Sequence, residues 1–248
     1  MTLDRDVVPL PWDSEFFGFK IARLVPRRSG AAELRMHLEE QWEQGIRLVY
    51  WGSDPDDAAS QAAAAANQGL LVDRKTAFVR KLDGFVVRPS ERYETRSLPE
   101  DGWSDELASL AMQIGQYSRF RQDRHFSPAT WQRLYWTWMQ NSINRAIADD
   151  ILVIRDAGLV VAVVTVRARG NIGEIGLLGV QESRHGTGLG RALVDSAMCW
   201  FSERPLSYVR VVTQGDNRPA CQMYKACGFL VESVENFYHF WNPLNDSI

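Results

Sequence analysis

The sequence has no run approaching the ~20 consecutive apolar residues of a membrane-spanning helix, so no membrane partner is expected. Cysteine is sparse: Cys199, Cys221 and Cys227 are the three present, and none forms a CxxC pair. An odd count without metal-ligand spacing points away from disulfides and from a metal site. It predicts reduced, buried thiols, no metal site and a cytoplasmic protein. Neither sign of charge dominates, with 28 Lys and Arg against 31 Asp and Glu and a net charge of -3. That balance gives no general affinity for nucleic acid or an anionic membrane. The opening Met1-Thr2-Leu3-Asp4-Arg5-Asp6 lacks a cationic segment followed by an apolar one, so no secretory signal is expected. No Gly-Lys-Ser/Thr occurs either, which removes a nucleoside-triphosphatase loop.

What is present is an ordinary globular composition, 45% hydrophobic and 24% charged over 248 residues. That is ample apolar material for a core without covalent staples. Leu48 to Trp51 reads as a buried strand closed by Gly52-Ser53-Asp54-Pro55. Asp56 to Gln68 is alanine-rich and helix-favouring, with Gly69 where a helix C-cap would fall. Thr76 to Leu82 reads as a strand. A second unit begins near Tyr93. Its predicted helices run from Ser104 to about Gln116 and from Ser127-Pro128 towards Ile147. Strands follow at Ile151–Arg155, Leu159–Arg167 and Glu174–Val180, the first two joined by a hairpin at Asp156-Ala157-Gly158. A helix running to about Phe201, a strand at Tyr208–Thr213, a helix at Arg218–Ala226 and a strand at Phe237–Trp241 complete the pattern. Strands interspersed with helices predict an α/β fold with a mixed central sheet.

The chain also echoes itself. Gly69-Leu70-Leu71-Val72-Asp73 through Phe78 matches Gly228-Phe229-Leu230-Val231-Glu232 through Phe237 at a constant offset. Two readings stay open: two similar folds in tandem, the first without cofactor chemistry, or a chance likeness of two helix–glycine–strand junctions. Domains at 1–90 and 91–248 are expected.

The strand ending at Val180 leads through Gln181-Glu182-Ser183-Arg184 into His185-Gly186-Thr187-Gly188-Leu189-Gly190-Arg191. Closely spaced glycines at a helix start let backbone N–H groups point into one cavity, and the helix field favours an anion there by ~0.3–1 kcal/mol. The loop suits a pyrophosphate. It lacks the final-glycine spacing and the acidic ribose ligand of a dinucleotide fold. Downstream stands Asn217, six residues, then Tyr224 and, after three more, Gly228-Phe229.

With these two motifs in this order the chain resembles the GNAT acetyltransferases. The resemblance implies a GNAT fold in 91–248, preceded by a smaller α/β unit for which a degenerate GNAT-like fold is one of the two readings above. It implies acetyl-CoA as cosubstrate, held by Leu178, Gly179 and Val180 at the strand end, by His185, Gly186, Thr187, Gly188, Leu189, Gly190 and Arg191, and by Asn217 on the pantetheine arm. His185 stands where the family commonly has Arg or Gln, and either a phosphate contact or a surface position fits it. Tyr224, a phenol protonated at neutral pH, is implied as donor to the departing thiolate, while Phe229 fits the core. Glu174 falls where histone-type relatives carry a catalytic glutamate, and either a base or a solvated strand residue fits it. By simple alternation Glu174, Gly176 and Leu178 share one strand face.

The acceptor is expected outside these motifs. Gln116 to Phe126 is dense in arginines and aromatics, followed by Trp131, Tyr135, Trp138 and Asn141. Trp131 and Trp138 recur at helical spacing and are expected in the core. Ser118, Arg119, Tyr135 and Asn141 are candidate acceptor contacts, and Arg121 and Arg124 are readable as solvated charges. Trp12-Asp13-Ser14-x-Phe16-Phe17-Gly18, Ser118-Arg119-Phe120-Arg121, Ile175-Gly176-Leu177-Leu178, Val212-Thr213-Gln214 and Tyr238-His239-x-Trp241 resemble a narrower family, the TDP-fucosamine acetyltransferases. That resemblance implies acetyl transfer to the 4-amino group of a TDP-linked 4-amino-4,6-dideoxyhexose for surface polysaccharide synthesis, a small-molecule nucleotide-sugar partner, and compatibility with a homodimer. Acetylation of another small-molecule or protein amine, and a non-catalytic acyl-CoA sensor, are the alternatives.

Overall fold

The structure is a computed structural model that describes residues 6–82, 90, 92–100 and 102–243. In chain order its elements begin with β1 (Val7–Pro9), α1 (Pro11–Phe17), β2 (Ile21–Leu24), α2 (Ala31–Glu43), β3 (Leu48–Ser53), α3 (Ala58–Ala66) and β4 (Leu70–Lys81). Next come β5 (Thr95–Ser97), α4 (Asp105–Ile114), α5 (Arg119–Gln122), α6 (Pro128–Ile143), β6 (Asp150–Asp156), β7 (Leu159–Arg169) and β8 (Ile172–Val180). Then follow α7 (Leu189–Ser202), β9 (Tyr208–Gln214), α8 (Arg218–Ala226) and β10 (Leu230–Trp241). The fold is α/β with mixed sheet pairing.

The described residues divide into two compact units. One takes those up to Lys75, Gln122–His125 and those from Val234 onward; the other takes Thr76–Arg121 and Phe126–Ser233. This division is discontinuous in sequence, unlike the 1–90 and 91–248 expected above. Glu91, where the second domain was expected to begin, lies outside the described residues.

In the first unit the strand order is β1-β2-β3-β10, with β2 and β3 parallel and the other pairs antiparallel. Every residue of β3 is buried, and Trp51 donates its indole N–H to the Pro26 carbonyl (2.6 Å). Leu34 and Leu38 of α2, Ala63 and Ala64 of α3, and Phe240 close the core over it. Asp57 caps α3 by accepting the Ser60 N–H (3.1 Å), a contact worth about 1 kcal/mol. At the other end of α3 the expectation is corrected. Gln68, not Gly69, takes the left-handed conformation (φ 58°). Gly69 is glycine because a Cβ there would stand 2.6 Å from the Phe240 ring.

In the second unit the order is β9-β8-β7-β6-β5, with residues 76–81 of β4 beside β9. The β8–β9 pair is parallel, and β5 to β8 pair antiparallel. The β6–β7 hairpin turns through Ala157 (φ 49°) and Gly158 (φ 85°), the two left-handed residues that a tight hairpin turn needs. α6 starts as expected, Ser127 Oγ accepting the Thr130 N–H (3.3 Å) and Pro128 taking the first turn. It stops at Ile143 rather than near Ile147, because Arg145 turns left-handed (φ 58°). Trp131 is buried as expected, whereas Trp138 is only half-buried. β10 begins at Leu230, seven residues before the Phe237 start read from the sequence. The three cysteines form no disulfide, and Cys227 is buried, whereas Cys199 and Cys221, expected buried, are half-buried. No helix among the described residues is long and apolar enough to cross a membrane.

Candidate active site

The site is built where two parallel strands part. The β8–β9 ladder runs from Ile172 opposite Tyr208 to Ile175 opposite Val211, whereas β8 continues to Val180 and β9 to Gln214. Beyond Ile175 an irregularity redirects β8. Val166 pairs with Ile175 and Val164 with Leu178, so Gly176 and Leu177 both face Thr165. This is a β-bulge, and Thr165 Oγ1 anchors it by accepting the Leu177 N–H (2.8 Å). The extra residue reverses the faces. Leu178 joins Ile175 in the α7-side core, while Glu174 and Gly176 lie on the other face. The expectation that Glu174, Gly176 and Leu178 share a face fails because strict alternation does not survive a bulge.

Past Val180 the chain makes a short 3-10 turn (Glu182–Arg184) and enters the glycine loop. Gly186 (φ 76°) and Gly188 (φ 94°) are both left-handed, and space is open where their Cβ atoms would project. Gly188 is the N-cap of α7, whose first-turn N–H groups have no acceptor inside the helix. These exposed amides and the open space above them fit a pyrophosphate. Gly190 serves differently, since a Cβ there would stand 2.7 Å from Met223 Sδ, so it sets the approach of α7 to α8. His185 turns its Nε2 onto the Val180 carbonyl (2.8 Å), which spends that nitrogen on bracing the loop. Thr187 Oγ1 donates to the Arg184 carbonyl (2.7 Å), Leu189 is buried, and exposed Arg191 faces Asp195 at 3.7 Å.

On the far side of the parted strands stands α8. Asn217 is its N-cap, the side-chain oxygen accepting the Ala220 N–H (3.3 Å). Tyr224 is buried, its ring 5.8 Å from both Phe78 and Phe229. Burial pushes its phenol well above the usual range, with Cys227 and Cys221 adding to the shift, so it is protonated at neutral pH. Tyr224 shares one apolar cluster with Leu178, Val180 and Leu189, which brings the strand end, the loop and the α8 phenol together. Phe229 fills the core as expected.

Glu174 is half-buried, opposite Arg167 on β7 and Arg210 on β9. Ser118 is buried, and its Oγ accepts the Phe120 N–H (3.1 Å) in a local turn. The Arg119 guanidinium lies 4.5 Å from the centre of the Phe120 ring. Tyr135 is buried against Gly115 and meets Trp138 edge-on at 5.0 Å. Asn141 is half-buried and its carbonyl accepts the Ala146 N–H (2.9 Å) where α6 ends. Arg121 donates to the Gln116 carbonyl (2.8 Å), and Arg124 is exposed. Among the described residues no group of three His, Cys, Asp or Glu side chains is placed to hold a metal.

Sequence reasoning passed over two residues that shape the site. Thr165 is a lone hydroxyl inside the apolar run of β7, a signal for an internal hydrogen bond. Tyr93, whose phenol donates to the Thr187 carbonyl (2.9 Å), is separated from the loop by over ninety residues and carries no local signal.

Residues 116–229 match the Acetyltransferase (GNAT) family. The chain is 27% identical over 237 residues to dTDP-fucosamine acetyltransferase of Escherichia coli O6:H1, covering 94% of this chain and 97% of that one. It is 33% identical over 64 residues to streptothricin acetyltransferase of Escherichia coli, a match spanning 26% of this chain and only 37% of that protein. The fold superposes on a GCN5-related N-acetyltransferase from Sphaerobacter thermophilus with a TM-score of 0.64 at 16% identity, over 94% of this chain and 75% of that one. Together with the parted strands and the glycine loop, these findings identify residues 116–229 as a GNAT acetyltransferase domain.

Proposed function

We propose that the protein transfers an acetyl group from acetyl-CoA to the 4-amino group of a TDP-linked 4-amino-4,6-dideoxyhexose. One observation carries this reading: the similarity to dTDP-fucosamine acetyltransferase extends over nearly the whole chain, well outside residues 116–229. Acetyl-CoA supplies an acetyl group already activated as a thioester. The amides of the loop from Gly186 to Gly190 hold its pyrophosphate. A backbone N–H near Leu178–Val180, on the part of β8 released from its ladder, polarises the carbonyl. Tyr224, kept protonated by burial, gives its proton to the departing sulfur. Glu174 accepts the proton of the amine, directly or through water. Among the acceptor candidates, Arg119 and Asn141 are half-buried and within reach of a substrate, whereas Ser118 and Tyr135 are buried. The odd count of three cysteines, with no CxxC pair among them, favours a reducing, cytoplasmic compartment.

The test is CoA release from acetyl-CoA with a panel of TDP-4-amino and UDP-4-amino sugars. Turnover on a TDP-4-amino sugar supports the reading. Turnover confined to an antibiotic or other small amine would establish the second reading, which the streptothricin acetyltransferase match favours.

The helix–glycine–strand echo supports a tandem origin, which is also our proposal. α3 and α8 are nine residues each, and β4 and β10 are twelve each.

A further inference from the structure

Residues Gln122–His125 pack with the first unit, although the chain on either side, up to Arg121 and from Phe126, belongs to the second. One side chain accounts for this, Asp123, to which neither the motifs nor the reaction outlined above gives a role. Its carboxylate is fully buried. One oxygen accepts from His239 Nδ1 (2.7 Å) and from the Trp241 indole N–H (2.9 Å). The other accepts the His125 backbone N–H (3.0 Å) and lies 2.8 Å from His125 Nδ1. These contacts fill about all the positions that an ionised carboxylate offers. The donors on β10 stand on a rigid platform. β10 is paired with β3 through this stretch, His239 opposite Tyr50 and Trp241 opposite Leu48. The His239 ring is stacked on Tyr50 with centres 4.7 Å apart, and Trp241 is flanked by Phe19 at 5.6 Å and by the His125 ring at 4.9 Å.

An apolar side chain of similar size would secure this segment with less desolvation, and what a buried carboxylate adds is one fixed geometry. The element so fixed is α5. It is a single turn of four residues, too short to keep its own direction. Ser118 opens the turn by accepting the Phe120 N–H (3.1 Å), and Asp123 directly follows its last residue. Arg119, a candidate acceptor contact, stands on the same turn. We infer that Asp123 is a positioning residue for the acceptor: by pinning the end of α5 to β10 it sets the direction in which Arg119 meets the amine-bearing substrate. The inference rests on the acceptor reading above and adds to it the group that holds the acceptor segment in place.

The experiment is steady-state kinetics of full-length Asp123→Asn, well below its unfolding temperature, on the acceptor that the sugar panel identifies. Direct binding of acetyl-CoA and backbone hydrogen exchange over Gln116–Phe126 accompany it. The KM for the acceptor is expected to rise roughly tenfold or more, the worth of one charge-assisted contact. The kcat and the Kd for acetyl-CoA are expected to stay within about twofold, the pattern of lost acceptor binding alone. Exchange is expected to quicken over Gln116–Phe126 and not in α7. Trp241→Phe removes one donor and keeps an aromatic ring; it is expected to move the same quantities less, and it decides the matter if Asp123→Asn does not fold. An unchanged acceptor KM, or unchanged exchange over the segment, overturns the inference. A loss of kcat and acetyl-CoA affinity alongside acceptor affinity overturns it too, because general loosening of the fold produces that pattern. Turnover confined to an amine that is not a nucleotide sugar removes the nucleotide-sugar reading alone, and the same KM-against-kcat split, measured on that amine, decides this inference. Turnover of no amine at all removes the acceptor reading and this inference with it.

Discussion

His239 Nδ1 lies 2.7 Å from Asp123 Oδ2, and solvent reaches neither side chain. Trp241 donates its indole N–H to the same oxygen (2.9 Å), and the other oxygen accepts the His125 N–H (3.0 Å). Burial alone pushes this carboxyl up. The hydrogen bonds from His239, His125 and Trp241, with the charge of His239, outweigh burial and hold it at about 2.

A group held below its unfolded value binds protons less readily when folded, so its stabilisation is complete above about pH 4 and disappears as pH falls through about 2. The contribution is on the order of 2 kcal/mol. Asp123→Asn is expected to destabilise the protein by about 1–3 kcal/mol at pH 7 and to flatten acid unfolding below pH 4. Urea titrations at pH 7, 4 and 3 measure both; the same acid dependence in variant and wild type would count against the account.

Tyr224→Phe is expected to lower kcat by about 10²-fold or more with the Kd for acetyl-CoA retained, because only the transferred proton is lost. Since burial raises the phenol, activity is not expected to decline from its ionisation near pH 10. A rate profile to alkaline pH and direct binding of acetyl-CoA check the two halves.

Two glycines in different surroundings, Gly188 facing open space and Gly190 facing Met223, separate ligand binding from packing. Gly188→Ala puts a side chain on a left-handed N-cap, a strain of about 1 kcal/mol in open space, and is expected to weaken acetyl-CoA binding through the displaced amides. Gly190→Ala drives a methyl against Met223 Sδ and is expected to lower Tm instead. Equal losses of affinity in both variants would contradict this division.

Thr165→Val keeps the volume and removes the acceptor of the Leu177 N–H. A cost of about 1–3 kcal/mol is expected in chemical unfolding. Acetyl-CoA turnover should fall further than stability alone requires, because the bulge sets the exposed backbone of β8. Full activity at unchanged stability would show the hydroxyl to be dispensable.

The sequence by itself determined the parts that rest on local rules. The α6 start at Ser127-Pro128, the Asp156–Gly158 hairpin and the span Arg218–Ala226 follow from caps and turn residues, which act within a few positions. The glycine loop and the Asn217–Phe229 pattern were legible for the same reason, since amides at one helix start and one phenol on another are set by adjacent residues. Tertiary structure alone decided what depends on distant partners. Gly69 is glycine because of Phe240, and Leu178 changes face because Thr165 admits a bulge. Tyr93 braces Thr187 across the chain, and Asp123 meets His239 and Trp241 across more than a hundred residues. Such contacts form only when packing brings remote segments within hydrogen-bond reach, and no spacing in the sequence encodes that approach.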